Sequence, residues 1–264
     1  MSKRNTIAVW FSCGAASAVA AHLTIKKYGG LCDVRVINNP VAEEDEDNRR
    51  FLHDVEDWIG QEIEICTNEK FPSASAVDVW AKRKFMSGVA GAPCTLLLKK
   101  EARQQWEARN HVDFHVLGFT SEEEARHERF IRTERENVLP VLIDAQYTKL
   151  HCYQLLRANG IKPPRVYDMG YPNANCIGCV KASSPTYWNH VRKVHPDVFE
   201  ERASQSRELG AKLVRVNNQR IFLDELHPDA VGRPMRNLDF ECGLFCEEWR
   251  EDDNDVIDQG DLFE

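Results

Sequence analysis

The chain has 264 residues, 42% of them hydrophobic and 29% charged, with a formal net charge of −8. That is enough for one large domain, or one domain with a small appendage, around a sizeable core. No run of about 18 apolar residues occurs, which excludes a membrane-spanning helix. The apolar stretch behind Met1-Ser-Lys-Arg is too short for a secretory core, so a cytoplasmic location without a membrane partner is expected.

In chain order, residues 7 to 11 form an apolar run, and Ser12-Cys-Gly-Ala-Ala-Ser17 is a small-residue turn. An Ala-rich segment of helical spacing follows at once. A strand, tight turn and helix in that order aim backbone N–H groups and the positive helix end at one point, a ready place for a phosphate or sulfate oxygen. The same pattern also suits an ordinary turn of an α/β protein. Residues 33 to 38 read as a second strand. Residues 43 to 60 read as a helix with Phe51, Leu52, Val55, Trp58 and Ile59 on one face and a stop at Gly60. A third strand is expected at 62 to 66, helices at 75 to 86 and 96 to 108, and a flexible loop between them that carries Cys94. A fourth strand is expected at 112 to 118, a helix capped by Ser121 after it, and a fifth strand at 138 to 143.

Strands alternating with helices predict α/β architecture: a doubly wound, mainly parallel five-stranded sheet. Ligands of such sheets lie beyond the carboxyl ends of the strands. The Ser12 to Ser17 turn, the loop after Asn38 and the Gly118 turn would all open there. The alternation ends near residue 160. The expected division is a nucleotide-binding α/β domain over 1–160, a less regular, cysteine-bearing C-terminal part over 161–246 packed on the sheet edge, and an acidic tail over 247–264. With that tail set aside the body is close to neutral, and its charge argues neither for nor against nucleic acid.

Nine cysteines in a chain without an export signal argue for metal or redox chemistry over a disulfide framework. Cys176-Ile-Gly-Cys179 lies in a Gly/Pro/Asn-rich turn ahead of a helix, a spacing at which two thiolates can share one metal or cluster. Cys94, Cys242 and Cys246 are the candidates for further ligands, and Cys242 with Cys246 could complete a four-thiolate zinc site. Cys13, Cys32, Cys66 and Cys152 read as small apolar residues.

Six segments together resemble the phosphoadenosine phosphosulfate (PAPS) reductase family of the PP-loop, or adenine nucleotide α-hydrolase-like, superfamily. Ser12-Cys-Gly-Ala-Ala-Ser17 stands where that superfamily has Ser-Gly-Gly-x-Asp-Ser. Residues 47 to 60 resemble its second helix with the ending Asp-Val-Glu-x-Trp-x-Gly. Pro93-Cys94-Thr95 with Lys99 is similar to its Cys-Thr-x-x-x-Lys element, and Gly118 with Glu123 and Arg126 to Gly-x-x-x-x-Glu-x-x-Arg. Residues 170 to 179 are similar to the cluster-binding CxxC segment, and Glu241-Cys-Gly-Leu to the C-terminal Glu-Cys-Gly-Leu-His of sulfonucleotide reductases.

The resemblance implies an adenine nucleotide substrate, its phosphate or sulfate end held by Ser12, Gly14 and Ser17, with Gly118 and Glu123 in the same site and Arg126 neutralising the anion. It implies a 4Fe-4S cluster on Cys94, Cys176 and Cys179, with Cys242 or Cys246 as a further ligand. Cys242 would be the nucleophile that attacks sulfur, and a thiol electron donor such as thioredoxin would release sulfite. A homo-oligomer is compatible with this reading. The chain departs from the family in three places. Pro93 stands where cluster-bearing members have a second cysteine, Phe245 replaces the histidine, and Ala16 replaces the loop aspartate. An iron with an open coordination position would suit ATP-dependent sulfur insertion into a nucleobase or nucleic acid, so a sulfurtransferase is the alternative enzyme. A non-catalytic zinc-containing nucleotide-binding module is the alternative outside enzymes. Loss of the loop carboxylate, which would help place magnesium on a triphosphate, favours a less charged substrate such as a sulfonucleotide.

Other residues receive plainer readings. Residues 43 to 47, five acids in a row, read as a solvated helix start favoured by the dipole. Asn38 and Asn39 suit either turn formation or contact with the adenosine. His190 and His195 flank Arg192-Lys193 on what reads as a surface helix, with nucleic acid a less favoured partner. Trp58, Trp80, Trp106 and Trp188 fit core stripes.

Overall fold

The computed structural model describes residues 4–88 and 91–235. Its centre is a five-stranded, wholly parallel sheet in the order β3-β2-β1-β4-β5, made of β1 (Thr6–Phe11), β2 (Asp33–Asn38), β3 (Glu64–Ile65), β4 (Phe114–Val116) and β5 (Val138–Leu139). All six residues of β1 are buried. Alternation splits them between the sheet faces. Ile7, Val9 and Phe11 join one core with α1 (Ala15–Tyr28), while Ala8 and Trp10 join another with Phe119 and Phe130. This is the α/β doubly wound sheet that the alternation of elements predicts. The chain reverses direction of winding between β1 and β4, the crevice where such sheets bind ligands.

Three expected strands are shorter than the sequence predicts, and of that expected at 62 to 66 only Glu64–Ile65 forms. Residues 138 to 143 do not form one strand: Pro140 has no N–H for the ladder, so β5 ends at Leu139 and Val141–Asp144 turns into a short helix, α6. The run 112 to 118 contributes only Phe114–Val116. The helix expected from residue 43 starts at Asp47 (α2, Asp47–Ile59), because Asp45 Oδ1 accepts from the Asp47 N–H at 2.9 Å and ends the loop there. Gly60, at φ 67°, closes it as the left-handed cap. The helix after β4 is capped by Thr120 and not by Ser121. Glu123 Oε2 accepts from the Thr120 N–H at 3.1 Å in a capping box.

Further along lie α3 (Ala76–Arg83), a π-helix (Thr95–Glu101) running into α4 (Ala102–Glu107), α5 (Glu124–Thr133) and α7 (Lys149–Ala158). The C-terminal part begins as the less regular, cysteine-bearing stretch expected from the sequence, with no helix or strand between Ala158 and Pro185. It then contains α8 (Pro185–Val194) and α9 (Pro196–Glu208), each opened by a proline where a missing N–H costs nothing, and a hairpin of β6 (Val214–Val216) and β7 (Gln219–Ile221). These elements build a third core around Trp80, Tyr187, Trp188, Phe199 and Leu213. Trp80 and Trp188 are core residues, and Trp58 and Trp106 pack half-buried against the other two cores. Among the described residues no helix is long and apolar enough to cross a membrane.

A buried histidine gives the fold a pH dependence. His115 on β4 accepts from the Trp10 indole N–H at 3.0 Å, and its Nε2 abuts the Arg135 guanidinium. Burial first, then the charges of Arg135 and Arg103, push its pKa from 6.5 down to about 3. The unfolded chain therefore binds more protons between those values, so this contribution to stability is complete above pH 6.5 and is lost as pH falls toward 3. His22, His190 and His195 are lowered in the same sense, chiefly by burial. The urea midpoint should fall between pH 6.5 and 4, and His115→Gln should flatten that slope. An unchanged slope in the variant would assign the effect to other groups.

Candidate nucleotide and thiol site

The turn between β1 and α1 is a network of short side chains. Ser17 Oγ donates to the Gly14 carbonyl at 2.9 Å and accepts from the Ser12 N–H at 3.1 Å, and the two serine hydroxyls lie 3.2 Å apart. The Ala18 N–H closes the first helical turn on Gly14 at 3.1 Å. Cys13 has a φ of 55°, a left-handed conformation that costs a residue with a Cβ roughly 1 kcal/mol. Its sulfur is buried and accepts from Asn38 Nδ2 at 3.4 Å. Burial, reinforced by the nearby Glu44 charge, pushes the Cys13 thiol far up, so it stays protonated. Cys13 is thus a packing residue of the loop. Cys66 and Cys152 are likewise buried thiols, whereas Cys32 is only half-buried.

Gly118 brings the end of β4 against this turn. A Cβ placed on it would lie 2.8 Å from the Ser17 nitrogen and 3.1 Å from the Ala16 carbonyl carbon. Only a glycine allows two backbones so close. Ser12, Gly14, Ser17 and Gly118 are therefore brought together. Glu123 and Arg126 follow on the same segment, paired to each other at 2.7 Å, with the guanidinium 5.3 Å from the Phe119 ring.

The acid run after β2 is not a solvated helix start. Asp45 is buried, with Oδ1 held by Arg165 Nε at 2.8 Å; Asp47 Oδ2 accepts from the Arg165 N–H at 2.8 Å. Arg50 first, together with Arg165, holds the Asp47 carboxyl down at about 2. Glu43 caps α3, accepting from the Ala76 N–H at 2.8 Å and from Ser75 Oγ at 2.8 Å. Glu44 pairs with Lys99 at 3.0 Å, and Lys99 Nζ also donates to the Asn39 carbonyl at 2.9 Å. The acids are acceptors that fasten distant segments to one loop, as buried carboxylates must be. Asn38 and Asn39 serve the same loop. Asn38 Nδ2 donates to Phe11 O at 2.9 Å and Asn39 Nδ2 to Cys66 O at 2.6 Å.

Both cysteine segments dock on that loop. Cys94 precedes the π-helix whose Lys99 bonds Asn39 and Glu44. The Ile177 N–H, inside the CxxC turn, donates to the Glu43 carbonyl at 2.9 Å. Gly178 turns with φ 69°, and the Cys179 N–H donates to the Tyr187 hydroxyl at 2.9 Å. Cys94, Cys176 and Cys179 all border the third core, Cys179 within it and the other two half-buried against it. Among the described residues no group of three or more Cys, His, Asp or Glu side chains is placed to hold a metal ion. Cys242 and Cys246 lie outside the described residues.

Two elements of the site carry no signal in the sequence. The segment around Lys162–Asp168 is strapped over α2 by Arg165 and by Arg50, whose guanidinium donates to the carbonyls of Lys162 at 3.0 Å and Pro163 at 3.3 Å. It sets the Tyr167 hydroxyl on the turn, where it accepts from the Ala15 N–H at 3.4 Å. His190 and His195 are not offered on a surface. Their rings lie 4.7 and 5.9 Å from that of Tyr171, and in both Nε2 is buried.

No family model matches this chain, and no curated protein matches it. Among solved structures it is similar to a PAPS reductase from Candida auris in its phosphate complex: 11% identity over 64% of this chain and 80% of that one, TM-score 0.46. It is also similar to the U34-tRNA thiolase NcsA from Methanococcus maripaludis with its 4Fe-4S cluster: 13% identity over 79% of this chain and 73% of that one, TM-score 0.44.

Proposed function

We propose that the protein is a sulfur-chemistry enzyme of the PAPS reductase kind, which binds an adenine sulfonucleotide at the Ser12–Ser17 turn and reduces it to sulfite with a thiol donor such as thioredoxin. The observation that carries this reading is the loop after β2. Asn38, where the loop begins, bonds Phe11 O and the Cys13 sulfur of the turn, and the loop holds the Cys94 segment through Lys99 and the CxxC turn through Glu43. In this reading anion binding and thiol chemistry would share the carboxyl edge of the sheet, the edge on which doubly wound sheets bind ligands.

In this reading the turn supplies backbone N–H groups, the positive end of α1 and two hydroxyls to the anion. Arg126 supplies positive charge beside it. Cys242 thiolate attacks the sulfonate sulfur, the bond between sulfur and the bridging phosphate oxygen breaks, and the nucleotide leaves as the monophosphate. A donor thiolate then attacks Cys242 sulfur and expels sulfite, and a second donor thiol resolves the mixed disulfide. The dithiol is oxidised by two electrons as the sulfonate is reduced to sulfite. In this reading Cys94, Cys176 and Cys179 would hold an iron-sulfur cluster through their thiolates, and the cluster would supply redox capacity near the anion.

The test is sulfite release from adenylyl sulfate and from its 3′-phosphorylated form with thioredoxin present, in wild type and Cys242→Ser. Release from either, abolished in the variant, is expected. Full activity of Cys242→Ser removes the nucleophile, and ATP-dependent thiolation without sulfite release would establish the sulfurtransferase instead. Metal analysis of anaerobically isolated protein should find iron and sulfide; zinc alone would favour the non-catalytic module.

A further inference from the structure

Tyr167 stands between two spaces. On one side its hydroxyl accepts from the Ala15 N–H at 3.4 Å and lies 3.5 Å from where a Cβ of Gly14 would be, over the mouth of the turn. On the other side Tyr167 lines a depression of about 300 Å³ shared with Tyr153, Arg157, Lys162 and Asp168. The phenol is held in place. The Tyr153 ring meets it edge-on with centroids 5.2 Å apart, and Arg165, two residues earlier, is fastened to Asp45, Glu46 and Asp47. Gly118 closes the turn over Ala16 and Ser17, so the anion space is bounded on two sides. Beyond Tyr167 stand two cations, Arg157 and Lys162, the second 3.6 Å from Asp168.

We propose that Tyr167 is a specificity-determining wall that limits the turn to a single tetrahedral anion and keeps further phosphates of a nucleotide from reaching the basic depression behind it. This rests on the reading of the Ser12–Ser17 turn as the anion site. Two features act together. The turn lacks a carboxylate at Ala16 to place a magnesium ion, and the phenol takes both a helix N–H and the volume a second phosphate would need. Removing the ring would join the turn to a space that offers room and positive charge.

The test is calorimetric binding to the full chain of ADP, which has the length of adenylyl sulfate, and of magnesium ATP. Wild type should prefer ADP. Tyr167→Ala should shift the ratio toward ATP by about tenfold, which corresponds to about 1.4 kcal/mol. Tyr167→Phe, which keeps the ring but frees the Ala15 N–H, should shift the ratio less than Tyr167→Ala does. Adding Arg157→Gln to Tyr167→Ala should reverse much of the gain. Should the alanine variant fail to fold, Tyr167→Leu, which keeps apolar packing against Tyr153 but not the reach, replaces it. ADP binding with an ATP ratio unchanged in Tyr167→Ala, or relaxed equally in Tyr167→Phe, overturns the wall while leaving the anion site standing. Absence of binding by either nucleotide in wild type overturns the anion site and the wall together.

Discussion

Replacing Lys99 by alanine should cost about 3–5 kcal/mol of folding stability, the range seen when one partner of a buried ion pair is removed. The Lys99 and Glu44 side chains are only 6% and 10% exposed, and Nζ bonds both the Glu44 carboxylate at 3.0 Å and the Asn39 carbonyl at 2.9 Å. Without the ammonium, Glu44 keeps a buried charge beside the amide donor Asn48 Nδ2 at 3.3 Å, a weaker partner than an ammonium. The double variant Lys99→Met, Glu44→Gln, which removes both charges, should recover a large part of the loss, because the penalty comes mainly from the orphaned carboxylate. Urea unfolding of the three proteins measures it. A loss below about 1 kcal/mol for Lys99→Ala, the level of exposed pairs, would show that water reaches the pair. The same variant should separate the Cys94 segment from the anion turn, so activity should fall even in the molecules that remain folded.

The second large effect is expected at Gly118. An alanine there drives its Cβ to 2.8 Å from the Ser17 nitrogen, and the opposing atoms are backbone, which cannot swing aside as a flexible side chain can. Overpacking of this kind typically costs 1–3 kcal/mol, about the same here. The strain falls on the turn that holds Ser12 and Ser17, so nucleotide binding should weaken by about tenfold or more while the sheet persists. Thermal unfolding and calorimetric titration of Gly118→Ala check the two parts separately. Binding as tight as wild type would mean that the turn moves freely relative to β4, and the site would need another frame.

The sheet was legible because its evidence is local. Continuous apolar runs mark strands buried on both faces, and small residues mark the turn that follows β1. Gly60 ends α2 where its backbone conformation requires a glycine. The exact length of β5 was less legible, since an apolar run suits a strand and a buried helix equally and Pro140 decides between them. For the candidate site, Ser12, Gly14, Ser17 and Gly118 could be selected by residue type and are gathered in the fold. The acid run shows the opposite case. Five consecutive carboxylates look solvated in a sequence, because their partners are 55 and 120 residues away, at Lys99 and Arg165.

The amino-acid sequence by itself determined the parallel α/β framework and the small-residue turn after its first strand, because periodicity, glycines and prolines act through neighbouring residues. Only the tertiary structure decided which charges are paired, that the segment from Asn38 to Glu44 fastens the β1–α1 turn to both cysteine segments, and that the Tyr167 hydroxyl bonds that turn at Ala15. Those outcomes depend on contacts between residues far apart in the chain, where burial makes each polar group take whichever partner the packed fold brings within reach.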